Sequence, residues 1–198
     1  LVASGAYKGS TLKEVLEKHP EYLGVMHKEC VDGQLPILIK YIDASKNLSV
    51  QVHPDDEYAR ENENGQLGKT EMWYVIDAKK EAELIYGFHH DVTKSQVEAA
   101  VSNGNIEKSL QKVPVKKDDL FFIEPGQVHA IGEGVVVAEI QECSNLTYRL
   151  YDYDRTDKHG NKRQLHLEKA LDVANLSESK APRQPMRCMS FFNGYAIE

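Results

Sequence analysis

The sequence predicts a mainly β domain of β-sandwich or jelly-roll type, on two observations. Short runs rich in Val, Ile, Tyr and Phe recur along the 198 residues and are parted by turn residues. Helical patterning is confined to a few stretches. The chain therefore reads as many strands with a few peripheral helices, not as repeated βαβ units.

The first element is a helix in "STLKEVLEKHPEYLG". Ser10 or Thr11 can cap it, Glu14 stands where a capping box needs it, and Leu12, Val15 and Leu16 fall on one face until Pro20 limits it. Strands are expected at 35–42, 48–53, 71–76 and 81–85. A helical insert near 93–112 follows, opened by a Thr93/Gln96 capping box before Val97, Ala100 and Val101 and broken by "NGN" at 103–105. Further strands are expected at 119–123, 134–141 and 146–151. Residues 152–164 form a polar loop, 165–175 a helix and 177–185 a linker. Residues 1–176 are read as one core, and 177–198 as a linker and the start of a second, truncated β region.

Composition excludes several function classes. A net charge of −7 argues against a nucleic-acid phosphate track while leaving room for a local basic pocket. No apolar run is long enough to span a bilayer, and neither a membrane anchor nor a signal peptide is expected. Cys30, Cys143 and Cys188 are odd in number and widely spaced, so they read as reduced thiols of a cytoplasmic protein. The chain opens without methionine and stops just after a strand-like run, and it is expected to be a piece of something longer.

One strand carries unusual chemistry. In "LSVQVHPDD", Leu48, Val50 and Val52 alternate with Ser49, Gln51 and His53, so Gln and His share one face. Glu71 opens another strand after "GQLGKT", and His129 lies in "EPGQVHAIGEG". Oxygen donors with two imidazoles suit Zn²⁺, Mn²⁺, Fe²⁺ or Co²⁺, and a site without cysteine can keep a position open for water or a sugar oxygen. Spacing alone also allows a plainer reading. There "HPDD" is a turn that ends the strand and "GQLGKTE" a solvated loop.

Four motifs decide between these readings. "LSVQVHPDD", "GKTEMWYVI", "EPGQVHAIG" and "EIQECSNLTYRLYDYDR" occur in an order that resembles the type I mannose-6-phosphate isomerases, in their short bacterial form, from about Gly5 to about Leu176. The resemblance implies a cupin-type jelly-roll β-barrel holding one Zn²⁺ per chain and interconverting mannose 6-phosphate and fructose 6-phosphate. It implies Gln51, His53, Glu71 and His129 as metal ligands. It also implies Ser49, Lys69 and Arg149 as substrate-pocket residues, with Glu139 on the strand leading to Arg149. Glu124 and Gln127 depart from the smaller residues usual there, Asn145 stands where many members carry aspartate, and the family's chains are longer at both ends.

Moving a proton between C1 and C2 through a cis-enediol needs a base near both carbons and positive charge near the oxygens. Glu139 is the first choice of base, since it is not among the implied ligands; its other reading is a carboxylate that orients a ligand histidine. Arg149 suits the substrate's phosphate bidentately, and Lys69 serves the phosphate as a point charge or polarises a sugar oxygen, which places Arg149, Glu139 and Lys69 in the catalytic set. The plainer role for Arg149 is an ion pair with Asp152 or Asp154. Arg155 reads as a surface ion-pair member, His89 and His90 as surface residues, and one of Trp73 and Tyr74 as core. A non-catalytic cupin module that binds a sugar phosphate is the alternative function. A Gln ligand argues against an iron oxygenase. The expected partner is a small sugar phosphate, with neither nucleic acid nor membrane; the oligomeric state is not encoded.

Overall fold

A computed structural model describes residues 1–23, 35, 37–179 and 184–185. The chain forms two compact units, Leu1–Leu38 and Ile39–Glu198. In the first, helix α1 (Leu12–Lys18) starts at Thr11, whose hydroxyl accepts from the Glu14 amide while the Glu14 carboxylate accepts from the Thr11 amide, as expected. Val15 and Leu16 are buried, but Leu12, expected beside them, is 52% exposed. Cys30, Cys188 and most of the region expected at 177–198 lie outside the described residues.

From Ile37 onward the chain builds antiparallel strands, the first opening at the end of the first unit and the rest lying in the second: β1 (Ile37–Asp43), β2 (Val50–Val52), β3 (Glu71–Ala78), β4 (Glu83–Phe88), β5 (Leu110–Pro114), β6 (Asp119–Ile123), β7 (His129–Ile131), β8 (Val135–Glu142), β9 (Tyr148–Tyr151) and β10 (Gln184–Pro185). They make two five-stranded sheets, ordered β1-β8-β3-β6-β10 and β5-β4-β7-β2-β9. Helices α2 (Asp56–Asn62), α3 (Lys94–Ser102) and α4 (Leu167–Val173) complete the unit. The mainly β expectation with few helices holds.

The period-2 alternation explains the layering. Val50, Val52, Ile85, Ala130, Leu150, Val97 and Leu171 form one buried cluster, in which the second sheet packs against α3 and α4. Trp73, Val75, Leu84, Phe121, Ile131, Val135 and Val137 form another, between the two sheets. The inward face is not apolar throughout. Along β8 the buried residues run Val135, Val137, Glu139, Gln141, and along β3 they run from Val75 and Trp73 to Glu71. Ile131 likewise gives way to His129 along β7. One end of the inter-sheet space is core and the other is polar.

Three elements differ from expectation. "HPDDEYAREN" does not merely turn: Asp55 accepts from the Tyr58 amide and caps α2. The insert is α3 plus a single 3-10 turn, Ile106–Lys108, after which Leu110–Pro114 leaves as β5. Within the expected linker, Gln184 and Pro185 pair with Leu120 and Asp119 of β6. Among the described residues no helix is long and apolar enough to cross a membrane. Cys143 is an exposed free thiol.

Candidate metal centre

Strand register assembles the site. Gln51 lies opposite His129 of β7 on one side and opposite Arg149 of β9 on the other, which makes the three close cross-strand neighbours. Glu71 enters from the facing sheet, paired with Gln141 and Ile123. The loop before β3 is tied to the end of β2, because the Lys69 amide donates to the Pro54 carbonyl and the Gly68 amide to the Asp56 carboxylate. Gly68 is required there. A Cβ at that position would lie 2.3 Å from the Asp55 carbonyl carbon and 2.6 Å from the Asp56 nitrogen.

His53, Glu71 and His129 are all buried and offer ligand atoms within 4.8 Å of one another. His53 Nε2 stands 3.3 Å from Glu71 Oε1, and His129 Nε2 stands 3.7 Å from Glu71 Oε2. The outer ring nitrogens are already engaged: His53 Nδ1 lies 2.8 Å from the Leu146 carbonyl and His129 Nδ1 2.8 Å from the Gln127 carbonyl. A carbonyl only accepts, so each Nδ1 carries a proton, and each Nε2, facing the cluster, is the atom that a neutral ring offers to a cation. His53 Nε2 and Glu71 Oε1 are buried without a hydrogen-bond partner, a costly state that a cation would relieve. Lys69 Nζ lies 2.7 Å from Oε1, close enough for an ion pair but without hydrogen-bond alignment.

Gln51 completes the set. Its amide nitrogen is 3.4 Å from His129 Nε2, and rotation about the terminal bond puts the amide oxygen at the same place. These residues fit a divalent cation, with two neutral imidazoles, a carboxylate and an amide oxygen. Burial, helped by His53, pushes the His129 imidazole down to about 3, so it stays neutral and available as a ligand. Burial also pushes the Glu71 carboxyl up, but His53, His129 and Lys69 outweigh it and hold the group well below the usual carboxylate range.

Around the cluster, Arg149 donates from Nε to Ser49 Oγ at 3.3 Å and from a terminal nitrogen to the Gln164 carbonyl at 2.9 Å. Burial, then the nearby Arg163, lowers its pKa, while Asp152 opposes them. Asp152 pairs with Arg155 and Arg163, so the ion pair considered for Arg149 is made by other arginines, and Arg155 has the ion-pair role expected of it. Glu139 is buried, and Lys40 Nζ lies 2.9 Å from it while also donating to Gln141. Gln141 in turn donates to the Ser144 and Glu142 carbonyls. His89 and His90 are exposed and are not part of this cluster, and Trp73 is fully buried.

The structure brings His53, Glu71 and His129 together, with Gln51 beside His129 and Lys69 beside Glu71, while Ser49 and Arg149 contact each other and Glu139 meets Lys40. Sequence reasoning missed Lys40, which sits in the otherwise apolar "ILIKYI" and faces Glu139 only through the pairing of β1 with β8. It also missed Arg163 and the indole of Trp73, which donates to Glu71 Oε2 at 3.1 Å.

The chain is similar to known proteins over most of its length. Residues 1–87 match the family model for the phosphomannose isomerase type I catalytic domain. The chain is 47% identical over 173 residues to mannose-6-phosphate isomerase ManA of Bacillus subtilis, covering 87% of this chain and 53% of that protein. It is 44% identical over 178 residues to the mannose-6-phosphate isomerase of Streptococcus mutans, covering 90% of this chain and 54% of that protein. The chain thus spans about half the length of the curated relatives it matches. Its fold superposes on the crystal structure of the B. subtilis mannose 6-phosphate isomerase with a TM-score of 0.79 at 42% identity, covering 91% of this chain and 56% of that one.

Proposed function

The chain belongs to the type I phosphomannose isomerase family, and from that membership we propose that it is a zinc-dependent mannose-6-phosphate isomerase working in the cytoplasm. The observation that carries the reading is the convergence of His53 Nε2 and Glu71 Oε1, both buried and without a hydrogen bond, beside His129. Gln51, His53, Glu71 and His129 would hold one Zn²⁺. When bound, the ion supplies positive charge beside the sugar oxygens on which negative charge develops.

The residues around it divide the remaining work. Ser49 and Arg149 receive the phosphate of the substrate, Arg149 through guanidinium donors not committed to Ser49 and Gln164. Lys69 is engaged by Glu71, so its free donors serve the sugar oxygens nearest the cluster and assist ring opening. Glu139 takes the proton from C2 of the open-chain aldose as O1 gains a proton, giving the cis-enediol. It then returns the proton to C1 while O2 loses its own, leaving the C2 ketone. Glu139 is suited to this because it is not among the ligands and faces the polar end of the inter-sheet space.

The test is conversion of mannose 6-phosphate to fructose 6-phosphate, coupled to NADPH formation, on chelator-treated protein before and after adding Zn²⁺. Turnover that appears with zinc is the expected result. Zinc binding without turnover at high protein concentration overturns the catalytic reading and leaves a module that binds a sugar phosphate. Domain organisation is part of the same proposal: residues 1–176 form the catalytic core.

A further inference from the structure

Trp73 lies two residues beyond Glu71 on the same inward face of β3, so its ring stands beside the carboxylate. Its indole Nε1 donates to Glu71 Oε2 at 3.1 Å. The indole nitrogen is only a donor and the side chain is fully buried, so no water can replace this acceptor. The same ring meets His129 edge to face, with centroids 5.3 Å apart and planes at 77°. Phe121 and Glu139 flank Trp73 across the two neighbouring strands, which fixes the ring from both sides. One side chain therefore touches two members of the cluster.

The two oxygens of Glu71 are consequently unequal. Oε2 accepts a hydrogen bond from the indole, while Oε1 makes none and faces His53 Nε2 and, as an ion pair, Lys69 Nζ. We propose that Trp73 is a positioning residue of the metal centre, whose indole N–H holds Glu71 Oε2 and thereby selects Oε1 as the oxygen that faces the cation. The carboxylate then binds through one oxygen, and coordination positions stay open for substrate. This inference rests on the metal-centre reading of His53, Glu71 and His129. Because Trp73 is the sole tryptophan, its emission reports directly on what happens at Glu71.

The test compares wild type with Trp73→Phe, which keeps an aromatic edge near His129 and removes the N–H donor. Zinc affinity is measured by competition with a chromophoric chelator, and Co²⁺ is used as a visible probe of coordination. The expected result is a 10- to 100-fold weaker zinc affinity in W73F, the range for a lost hydrogen bond to a ligating group, with altered Co²⁺ bands. Equal zinc affinities with superimposable Co²⁺ spectra overturn the role of Trp73 alone. Failure of wild type to bind either metal overturns the metal-centre reading and this inference with it.

A measurement on wild type does not depend on the variant folding. In protein labelled with ¹⁵N-tryptophan, the single indole N–H resonance is expected to move on adding one equivalent of Zn²⁺. An unmoved resonance in zinc-loaded protein refutes the inference.

Discussion

Lys69→Met removes the ammonium from an ion pair whose side chains are 5% and 0% exposed. With 2.7 Å between Nζ and Oε1, the Coulomb attraction is about 6 kcal/mol at an effective dielectric of ~20. The lysine recovers its own hydration on unfolding, so the net cost of breaking such a pair is lower, about 3 to 5 kcal/mol, because a buried carboxylate is left uncompensated. Against a typical stability of ~10 kcal/mol this is a large deficit, and at ~3 °C per kcal/mol it lowers the Tm of the metal-free protein by about 10 °C. Zinc changes the outcome. A dication beside Oε1 compensates Glu71 whether or not the lysine is present, and in wild type it also faces the lysine's charge. The deficit of K69M should shrink to about 1 kcal/mol in saturating zinc, and by linkage zinc should bind K69M more tightly by the difference, about 2 to 4 kcal/mol. Urea unfolding of both proteins, with chelator and with excess Zn²⁺, measures all four stabilities. A deficit of equal size in both conditions would refute the reasoning, since it would mean that the lysine and the cation do not compensate the same carboxylate.

Gly68→Ala pushes a methyl against the Asp55–Asp56 backbone and should cost about 1 to 3 kcal/mol in urea unfolding, with weaker zinc binding because the displaced loop carries Lys69. An unchanged midpoint would show that the close approach is not needed. Arg149→Lys removes the guanidinium donors that Ser49 and Gln164 leave free for the phosphate, and at ~1.5 to 3 kcal/mol for a charged hydrogen bond the KM for mannose 6-phosphate should rise about 10- to 100-fold. A KM left in place would remove Arg149 from phosphate binding. His129 has a folded-state pKa of about 3, below its unfolded value, so its contribution to the metal-free protein is complete above about pH 6.5. That contribution falls by up to ~1.4 kcal/mol per pH unit as pH drops towards 3, and His129→Gln should flatten this part of the stability profile. Glu139→Gln should lower kcat by ~100-fold or more while leaving zinc affinity unchanged, as titration and steady-state assays on the same preparation would show.

The fold was legible wherever a strand alternates against water or a helix. "VQV" and "GVVVAEIQ" show their faces directly, and the Thr11 and Thr93 caps announce α1 and α3. Helix α2 was hidden because the chemistry that caps it, Asp55 after Pro54, is also turn chemistry, and its buried face amounts to Ala59. β5 was hidden because "LQKVP" is short and lacks clear alternation; it pairs with β4, and its Leu110 and Val113 enter the two buried clusters. The site was legible as a set of residue types, but its convergence was not. Gln51 meets His129 through register between segments 78 residues apart, and no local pattern encodes that. Lys40 escaped for a related reason. On a strand of aliphatic neighbours it reads as an outward lysine, and only pairing with β8 shows that it faces Glu139.

That pairing bears on the choice the sequence left open for Glu139, between acting as a base and orienting a ligand histidine. Orienting an imidazole means accepting from the ring nitrogen that does not face the metal. Both such nitrogens are taken by main-chain carbonyls, His53 Nδ1 by Leu146 and His129 Nδ1 by Gln127. The backbone thus sets both tautomers, and it does so on loops that are themselves held down. Ser144 Oγ donates to the Leu67 carbonyl and accepts from the Leu146 amide, and the Gly126 amide donates to the His53 carbonyl. With the histidines oriented in this way, a carboxylate behind them would have nothing to do. Glu139 instead projects into the polar end of the inter-sheet space, where its partner is Lys40, a side chain at the rim and 36% exposed. A group that holds metal ligands needs a rigid, enclosed partner, whereas a group that exchanges a proton with a substrate needs one that can yield as the substrate enters. A half-exposed lysine at the rim satisfies the second requirement and not the first, which is why we propose Glu139 as the base.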